Sequence, residues 1–285
     1  MEQRRIGDRT VGAIGLGGMP MSVREHNDEA KGIRTIHAAI DSGVTLIDTA
    51  DAYSIHEDSF GHNEDLIARA LREYGSDADE VLVATKGGHT RSGSDWHLDG
   101  RPEYLRTACE GSLRRLGVEA IGLYQHHRPD PKVDYAETVG GLKQLLDDGL
   151  IVGAGISNAD PDQIRLAHEI LGEGLVAVQN EYSPRFRSSQ RELDLCAELG
   201  IAFLPWSPLG GMGGAGELGD RFAVFGEVAA KYDASPQQVA LAWELAQSPV
   251  VIPIPGASRV ESVRDSVAAA DLKLDDEDLA RLNAS

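Results

Sequence analysis

The sequence predicts a (β/α)8 TIM barrel, and three observations carry that expectation. Short apolar runs rich in Val, Ile and Leu alternate with stretches of helical periodicity, the signature of a parallel sheet covered by helices. Eight such runs can be counted. The connections are short, and 285 residues without a linker or low-complexity stretch suit a closed barrel better than an open doubly wound sheet. The whole chain, 1–285, therefore reads as a single domain.

Residues 3–12 form two strand-like pieces around Gly7-Asp8, a hairpin turn signal. A strand over 13–17 then runs into glycines. These do not make a dinucleotide-binding loop, because Met19, Pro20 and Met21 stand where such a loop must open a helix. Helical spacing over 28–42 (Ile33, Ile36, Ala39, Ile40) stops at Gly43. Strand 44–48 ends at Asp48, and Asn63-Glu64 open the next helix. Strand 81–85 ends at Lys86, followed by a long loop over 87–101 and a helix over 103–116. Strand 121–124 leads to His126-His127. Helix 134–147 stops near Gly149, and strand 150–156 ends at Ser157-Asn158. Pro161 sits in the first turn of helix 161–171. Strand 175–178 ends at Gln179-Asn180, helix 189–199 at Gly200, and strand 201–204 at Pro205-Trp206-Ser207. A glycine-rich loop over 210–219 precedes helices over 221–232 and 237–247. The last strand is 250–254, a helix begins near Arg259, and 275–283 has a short helical pattern.

A formal charge of −19 argues against nucleic acid and anionic membrane surfaces as partners. Cys109 and Cys196 lie in helical patterns and in no metal-ligand spacing, so they read as buried free thiols, and no metal site is expected. No apolar run approaches a membrane span and no targeting segment precedes the first strand. The expectation is a cytoplasmic protein, a monomer or weak homo-oligomer.

In such a barrel the C-terminal strand ends meet at one mouth. Here the mouth receives Asp48 and Tyr53, Lys86, His126-His127, Ser157-Asn158, Gln179 and Trp206. A buried ammonium beside a phenol favours phenolate and lowers the tyrosine pKa, while a carboxylate keeps that ammonium charged and in place. The phenol can then give a proton to a carbonyl oxygen as hydride reaches its carbon, and a neutral histidine can orient that oxygen. Neighbours on a strand face opposite sides, so one of the two histidines points into the barrel and the other to its wall.

At these residues the chain resembles the aldo-keto reductases. The resemblance lies in 46–53 (Leu-Ile-Asp-Thr-Ala-Asp-Ala-Tyr), 84–88 (Ala-Thr-Lys-Gly-Gly) and 123–131 (Leu-Tyr-Gln-His-His-Arg-Pro-Asp-Pro). It continues in 155–158, 179–184, 205–210 and 254–256, in the family's order and over nearly the whole chain. It implies a hairpin across the barrel bottom, NADP(H) bound without a Rossmann domain, and reduction of a small-molecule carbonyl substrate. It puts the proton donor on Tyr53, its lysine on Lys86, the lysine's carboxylate on Asp48 and the histidine on His127, three residues after Tyr124. His126 takes a place that is usually apolar, and it reads either as a core histidine facing the barrel wall, the favoured reading, or as an extra polar group in the site.

The resemblance also assigns the cofactor. Ser157, Asn158 and Gln179 hold the carboxamide and Trp206 stacks on the nicotinamide. Ser207, Pro208, Leu209, Gly210 and Gly211 take the pyrophosphate, and the stretch 256–266 takes the adenosine end. The sequence departs from parts of the family there: Gly256 replaces a lysine, Ser262 an arginine and Ser266 an asparagine. Ser258, Arg259 and Arg264 remain as ligands for the 2′-phosphate. Candidates for the substrate pocket are Met19, Tyr53, His56, Trp96, His127, Arg128 and Arg185. The short tail after the last helix implies no long C-terminal loop over the pocket. Two other uses of the barrel stay open: an NADP-binding regulatory or redox-sensing subunit with little turnover, and an aldolase or isomerase with Lys86 as Schiff base. The intact tetrad weighs against the first, and the nicotinamide motifs against the second.

Overall fold

The computed structural model describes residues 1–23, 28–211 and 213–285. Strands β1 (Gln3–Ile6) and β2 (Arg9–Gly12) pair antiparallel, with Gly7 in the left-handed region that the turn requires. After them come β3 (Leu16–Gly17), helix α1 (Glu29–Asp41), β4 (Leu46–Asp48), α2 (His62–Tyr74) and β5 (Leu82–Gly87). A second hairpin, β6 (His89–Ser92) and β7 (Asp95–Leu98), precedes α3 (Pro102–Leu116). The rhythm then repeats as β8 (Ile121–His126), α4 (Tyr135–Asp147), β9 (Ile151–Ser157), α5 (Pro161–Leu171), β10 (Leu175–Gln179), α6 (Gln190–Leu199) and β11 (Ala202–Phe203). Helices α7 (Gly214–Arg221), α8 (Ala223–Tyr232), α9 (Pro236–Gln247), α10 (Val260–Ala268) and α11 (Asp276–Asn283) complete the chain.

The parallel sheet runs β3-β4-β5-β8-β9-β10-β11, and residues 251–256 close it into a barrel. On one side of this segment Ile252 N donates to Phe203 O (2.9 Å) and Ile254 N to Pro205 O (3.2 Å). On the other, Pro253 O and Pro255 O accept from Gly15 N (2.9 Å) and Gly17 N (3.0 Å). Pro253 and Pro255 have no N–H to give back. The predicted last strand is therefore an extended segment with half a ladder on its β3 side.

Alternation sorts each strand's side chains. Leu46, Leu82, Leu123, Ala177, Ala202 and Ile252 fill the barrel together with Ile6 and Val11, so the β1–β2 hairpin plugs one end. Tyr124, Ala154, Ile156 and Val178 face outward onto the helices with Leu105, Val139 and Leu142. Helix starts follow their sequence signals. Asp28, Ser235 and Asp275 cap α1, α9 and α11, and Asp160 and Gln163 form a capping box on α5. Two expectations need correcting. The long loop 87–101 contains the β6–β7 hairpin, turned by Gly93 (φ 59°). The glycine-rich loop 210–219 contains most of α7, entered through Gly213 in the left-handed region. Among the described residues, no helix is long and apolar enough to cross a membrane.

Candidate active site

The register of β4 and β5 builds the centre of the barrel mouth. Asp48 ends β4 opposite Ala84, and Lys86 lies two residues further along β5, on the same face. Lys86 is fully buried and each donor of its ammonium is used. Nζ lies 2.8 and 2.7 Å from the Asp48 carboxylate oxygens, 2.8 Å from Thr49 O and 3.2 Å from the Tyr53 hydroxyl. Burial alone would lower the Lys86 pKa, but Asp48 and Tyr53 outweigh it and hold the ammonium above its ordinary value. Asp48 Oδ1 also accepts from Gln179 Nε2 at 2.8 Å. Gln179 Nε2 also donates to Gln125 Oε1 at 3.4 Å, so both its N–H groups have acceptors, and its carbonyl oxygen is left to face a ligand among the described residues.

Tyr53 follows β4 on a tight turn, with its N–H on Ala50 O at 3.3 Å, and is 7% exposed. The expected lowering of its pKa does not occur. Burial raises it, Lys86 pulls it down, and Asp48 and Asp51 push it up again, leaving a net rise. The phenol is therefore held protonated, with the ammonium beside it ready to stabilise charge when a proton leaves.

The two adjacent histidines part as alternation requires. Leu123 fills the barrel and Gln125 reaches to 3.5 Å from Asp48 Oδ1, so the inward face of β8 continues to His127. The His127 N–H bonds Gly87 O at 2.9 Å, extending the ladder one residue past β8. Its ring meets Tyr53 edge to face, centroids 5.6 Å apart. His126 faces the helix layer, fully buried, 6.0 Å from the Tyr135 ring and with neither ring nitrogen partnered among the described residues. Burial, with the cations Lys86 and Arg128 and the neighbouring histidines, holds His127 well below the ordinary imidazole pKa, and burial takes His126 to about 4. Both are neutral rings at physiological pH.

Around this centre lie the other predicted residues. Ser157 Oγ donates to Gln179 O (2.7 Å), and Asn158 Nδ2 to His127 O and Ser157 Oγ (3.0 Å each). Asn158 and Ser207 are non-glycine residues with φ of 58° and 52°, conformations that cost about 1–3 kcal/mol and concentrate at ligand sites. Trp206 is half-buried at the mouth and its Nε1 is buried without a partner among the described residues. Ser207, Pro208 and Leu209 lead into Gly210 and Gly211, both left-handed, and Arg185 packs across from Gly210 in the same pocket. Arg128 is exposed and donates to Asn158 Oδ1 (3.2 Å). At the α10 end, Gly256 is exposed, Ser258 half-buried, and Arg259 donates to Ser262 Oγ (3.2 Å). Arg264 is exposed and Ser266 buried. A side chain at 256 would begin 2.8 Å from the Pro20 ring, which accounts for glycine there. Met19 opens the short turn after β3, and His56 starts the turn after Tyr53.

Two residues near the centre escaped the sequence reading. His89 on β6 sits 4.4 Å from the His127 ring, at 90° to it. The polar alternation of 89–92 and 95–98 around Gly93 was the available signal. Asp51 is fully buried with neither carboxylate oxygen partnered among the described residues, and burial with nearby Glu64 holds its carboxyl well above the usual range. Among the described residues, no cluster of His, Cys, Asp and Glu could hold a metal ion.

Comparison with known proteins gives a consistent picture. A sequence model described as the Aldo/keto reductase family matches residues 13–285. A probable aldo-keto reductase 1 from Glycine max is 36% identical, across 95% of this chain and 84% of its own. The structure is similar to that of a glycerol dehydrogenase from Gluconobacter oxydans, with a TM-score of 0.85 and 29% identity over 99% of this chain and 94% of that one. It is also similar to an aldo-keto reductase from Klebsiella pneumoniae solved in complex with NADPH, with a TM-score of 0.83 and 26% identity over 100% and 95% of the two chains.

Proposed function

This chain belongs to the aldo/keto reductase family of oxidoreductases, and from that premise we propose that it reduces an aldehyde or ketone reversibly to the alcohol, with NADP(H) as hydride carrier and Tyr53 as proton donor. The observation that carries the reading is the buried ammonium of Lys86, bonded at once to Asp48 and to the Tyr53 hydroxyl. The reading takes 1–285 as one domain, supported by a barrel that closes between β3 and 251–256.

The residues present fit the cofactor. Trp206 offers an aromatic face and an Nε1 without a partner among the described residues, the left-handed Gly210 and Gly211 carry no side chains and so let phosphate approach the loop backbone, and the amide oxygen of Gln179 is left for the carboxamide. Ser157 and Asn158 would complete the carboxamide site. Ser207, Pro208, Leu209 and Gly210 would take the pyrophosphate, and Gly256, Ser258, Arg259 and Arg264 the phosphorylated ribose. When bound, the reduced nicotinamide supplies a hydride.

This chain's own residues handle the proton. The protonated Tyr53 hydroxyl gives its proton to the carbonyl oxygen. The Lys86 ammonium, 3.2 Å away, stabilises the phenolate left behind, and Asp48 keeps that ammonium charged. Neutral His127 donates a hydrogen bond to the same oxygen and orients it. In the oxidation direction the phenolate takes the proton back from the alcohol.

Steady-state NADPH oxidation with a panel of aldehydes tests the reading, with Tyr53→Phe as its control. Turnover by the wild type and a loss of about 10²–10⁴-fold in the variant, with NADPH affinity within a few-fold, are expected. Tight NADPH binding with no turnover on any carbonyl would instead mark a regulatory barrel.

A further inference from the structure

His127 lacks the fixture that a functional histidine usually has. Its Nδ1 is buried with no hydrogen-bond partner among the described residues, so no carbonyl or carboxylate sets the ring's rotation or tautomer. An orphaned lone pair is tolerated in a protein interior more readily than an orphaned N–H, which leaves the proton on Nε2. The ring is bounded instead by other rings: Tyr53 at 5.6 Å and 79°, and His89 at 4.4 Å and 90°.

His89 itself is fixed. Its Nδ1 lies 3.0 Å from His97 O, across the β6–β7 hairpin, and a carbonyl can only accept, so Nδ1 carries the proton. The Trp96 ring meets His89 edge to face at 5.2 Å, and the Arg91 guanidinium covers Trp96 at 4.2 Å. Arg91 Nη2 donates to Ser54 O (3.1 Å) and Ile55 O (2.5 Å), the two residues after Tyr53. Glu57 N bonds Gly93 O (3.1 Å), and Gly93 N bonds Glu57 Oε2 (2.9 Å). The hairpin is thus tied to the segment that carries Tyr53, and a row of rings runs from Trp96 through His89 and His127 to Tyr53.

We propose that His89 is the positioning residue for His127, its ring holding the His127 imidazole against Tyr53 so that one carbonyl oxygen can meet both the Tyr53 hydroxyl and the His127 Nε2–H. The inference rests on the reading of Tyr53 and His127 given above, and adds the support that no hydrogen bond supplies. Burial takes His89 to about 4, so it packs as a neutral ring. The groups whose charges bear on His127 are Lys86, His89, Arg128 and His126, and each favours its neutral form.

His89→Ala and His89→Phe, with Tyr53→Phe alongside, test this. His89→Ala is expected to lower kcat/KM for carbonyl reduction by about tenfold or more, mainly through kcat, since small misplacements of a positioned group are costly. In the protein without cofactor, the His127 ring titration followed by NMR should move up towards about 6.5 as water replaces the lost ring. His89→Phe restores the ring without the imidazole and should recover most of the rate and of the low titration point. NADPH affinity should stay unchanged in both. If His89→Ala does not fold, His89→Leu takes its place, with the same loss of kcat expected and rescue again by Phe. Wild-type kcat/KM in His89→Ala beside an inactive Tyr53→Phe overturns the role of His89 alone, as does a Phe variant no better than Ala. Full activity in Tyr53→Phe overturns the reading of the whole site.

Discussion

The Lys86 ammonium stands 3.2 Å from the Tyr53 hydroxyl, in a place where burial would otherwise hold the phenol firmly protonated. Among the charged groups that act most on that phenol, Lys86 is the one that lowers its pKa, and Asp48 and Asp51 raise it. On the proposed reading the pair sets a balance: protonated enough to give a proton to a developing alkoxide, and close enough to a cation to survive as phenolate.

Lys86→Met should upset that balance in a stated direction. With the ammonium gone, burial and the unpaired Asp48 charge raise the Tyr53 pKa further. Alcohol oxidation needs the phenolate, so its alkaline rise should move to higher pH. Removing one partner of a buried pair costs about 3–5 kcal/mol, and Asp48→Asn combined with Lys86→Met should restore part of that stability. A pH–rate profile for oxidation that does not move would remove Lys86 from the proton step.

The adjacent histidines should separate in kinetics as they separate in space. His127→Ala should lower kcat/KM by about 10²-fold or more, the size of a lost transition-state donor. His126→Leu removes two unpartnered ring nitrogens from the helix layer and should leave kcat near wild type, with unchanged or higher thermal stability. Equal losses of kcat in two folded variants would mean that both rings serve the reaction.

Glu244 on α9 is fully buried with neither carboxylate oxygen partnered among the described residues, and burial holds its carboxyl well above 4.5. An acid whose folded pKa is raised stabilises the fold least where the unfolded chain would ionise it. The penalty is absent below the unfolded value and grows as pH rises through it, by about 1.4 kcal/mol per pH unit until the folded group ionises. Glu244→Gln keeps the shape and removes the titration. Its gain in Tm should be larger at pH 8 than at pH 4, and a gain independent of pH would count against a neutral Glu244.

Strand ends were the most legible part of the chain. Asp48, Lys86 and His127 each close a short apolar run, and in a parallel barrel such positions converge whatever the loops do. Alternation separated His126 from His127 because it needs only the pleat. What resisted reading depended on contacts between distant residues or on weak local propensity. Helix α7 contains Gly214, Gly216 and Gly219, poor helix formers whose place is set by packing, as where Gly219 meets Pro236. The last barrel segment reads as a strand over 250–254, and only the half-ladder that Pro253 and Pro255 leave on its β3 side departs from that reading. The direction of the Tyr53 shift is decided by how completely the phenol is enclosed, and no spacing in the sequence records that. His89 reaches His127 only because a hairpin folds back over the mouth.

Cofactor choice should rest on the entrance to α10. Arg259 stands at the N-cap position of that helix without a side-chain capping bond, and Arg264 lies in its second turn, both exposed, with no lysine at Gly256. A guanidinium pairs with a dianionic phosphate through charge-assisted hydrogen bonds. One such contact contributes about 1.5–3 kcal/mol, or roughly tenfold to a hundredfold in affinity. Wild type should therefore bind NADPH more tightly than NADH. Arg259→Ala with Arg264→Ala should erase most of that preference and leave NADH binding intact. Because both side chains are exposed, added salt should weaken NADPH more than NADH in wild type, and this difference should vanish in the double variant. Quenching of Trp206 fluorescence on titration with each nucleotide reads all four affinities. Equal affinity of wild type for NADH and NADPH would show that these arginines do not meet the 2′-phosphate, and that Gly256, Ser262 and Ser266 belong to a site adapted to the unphosphorylated ribose.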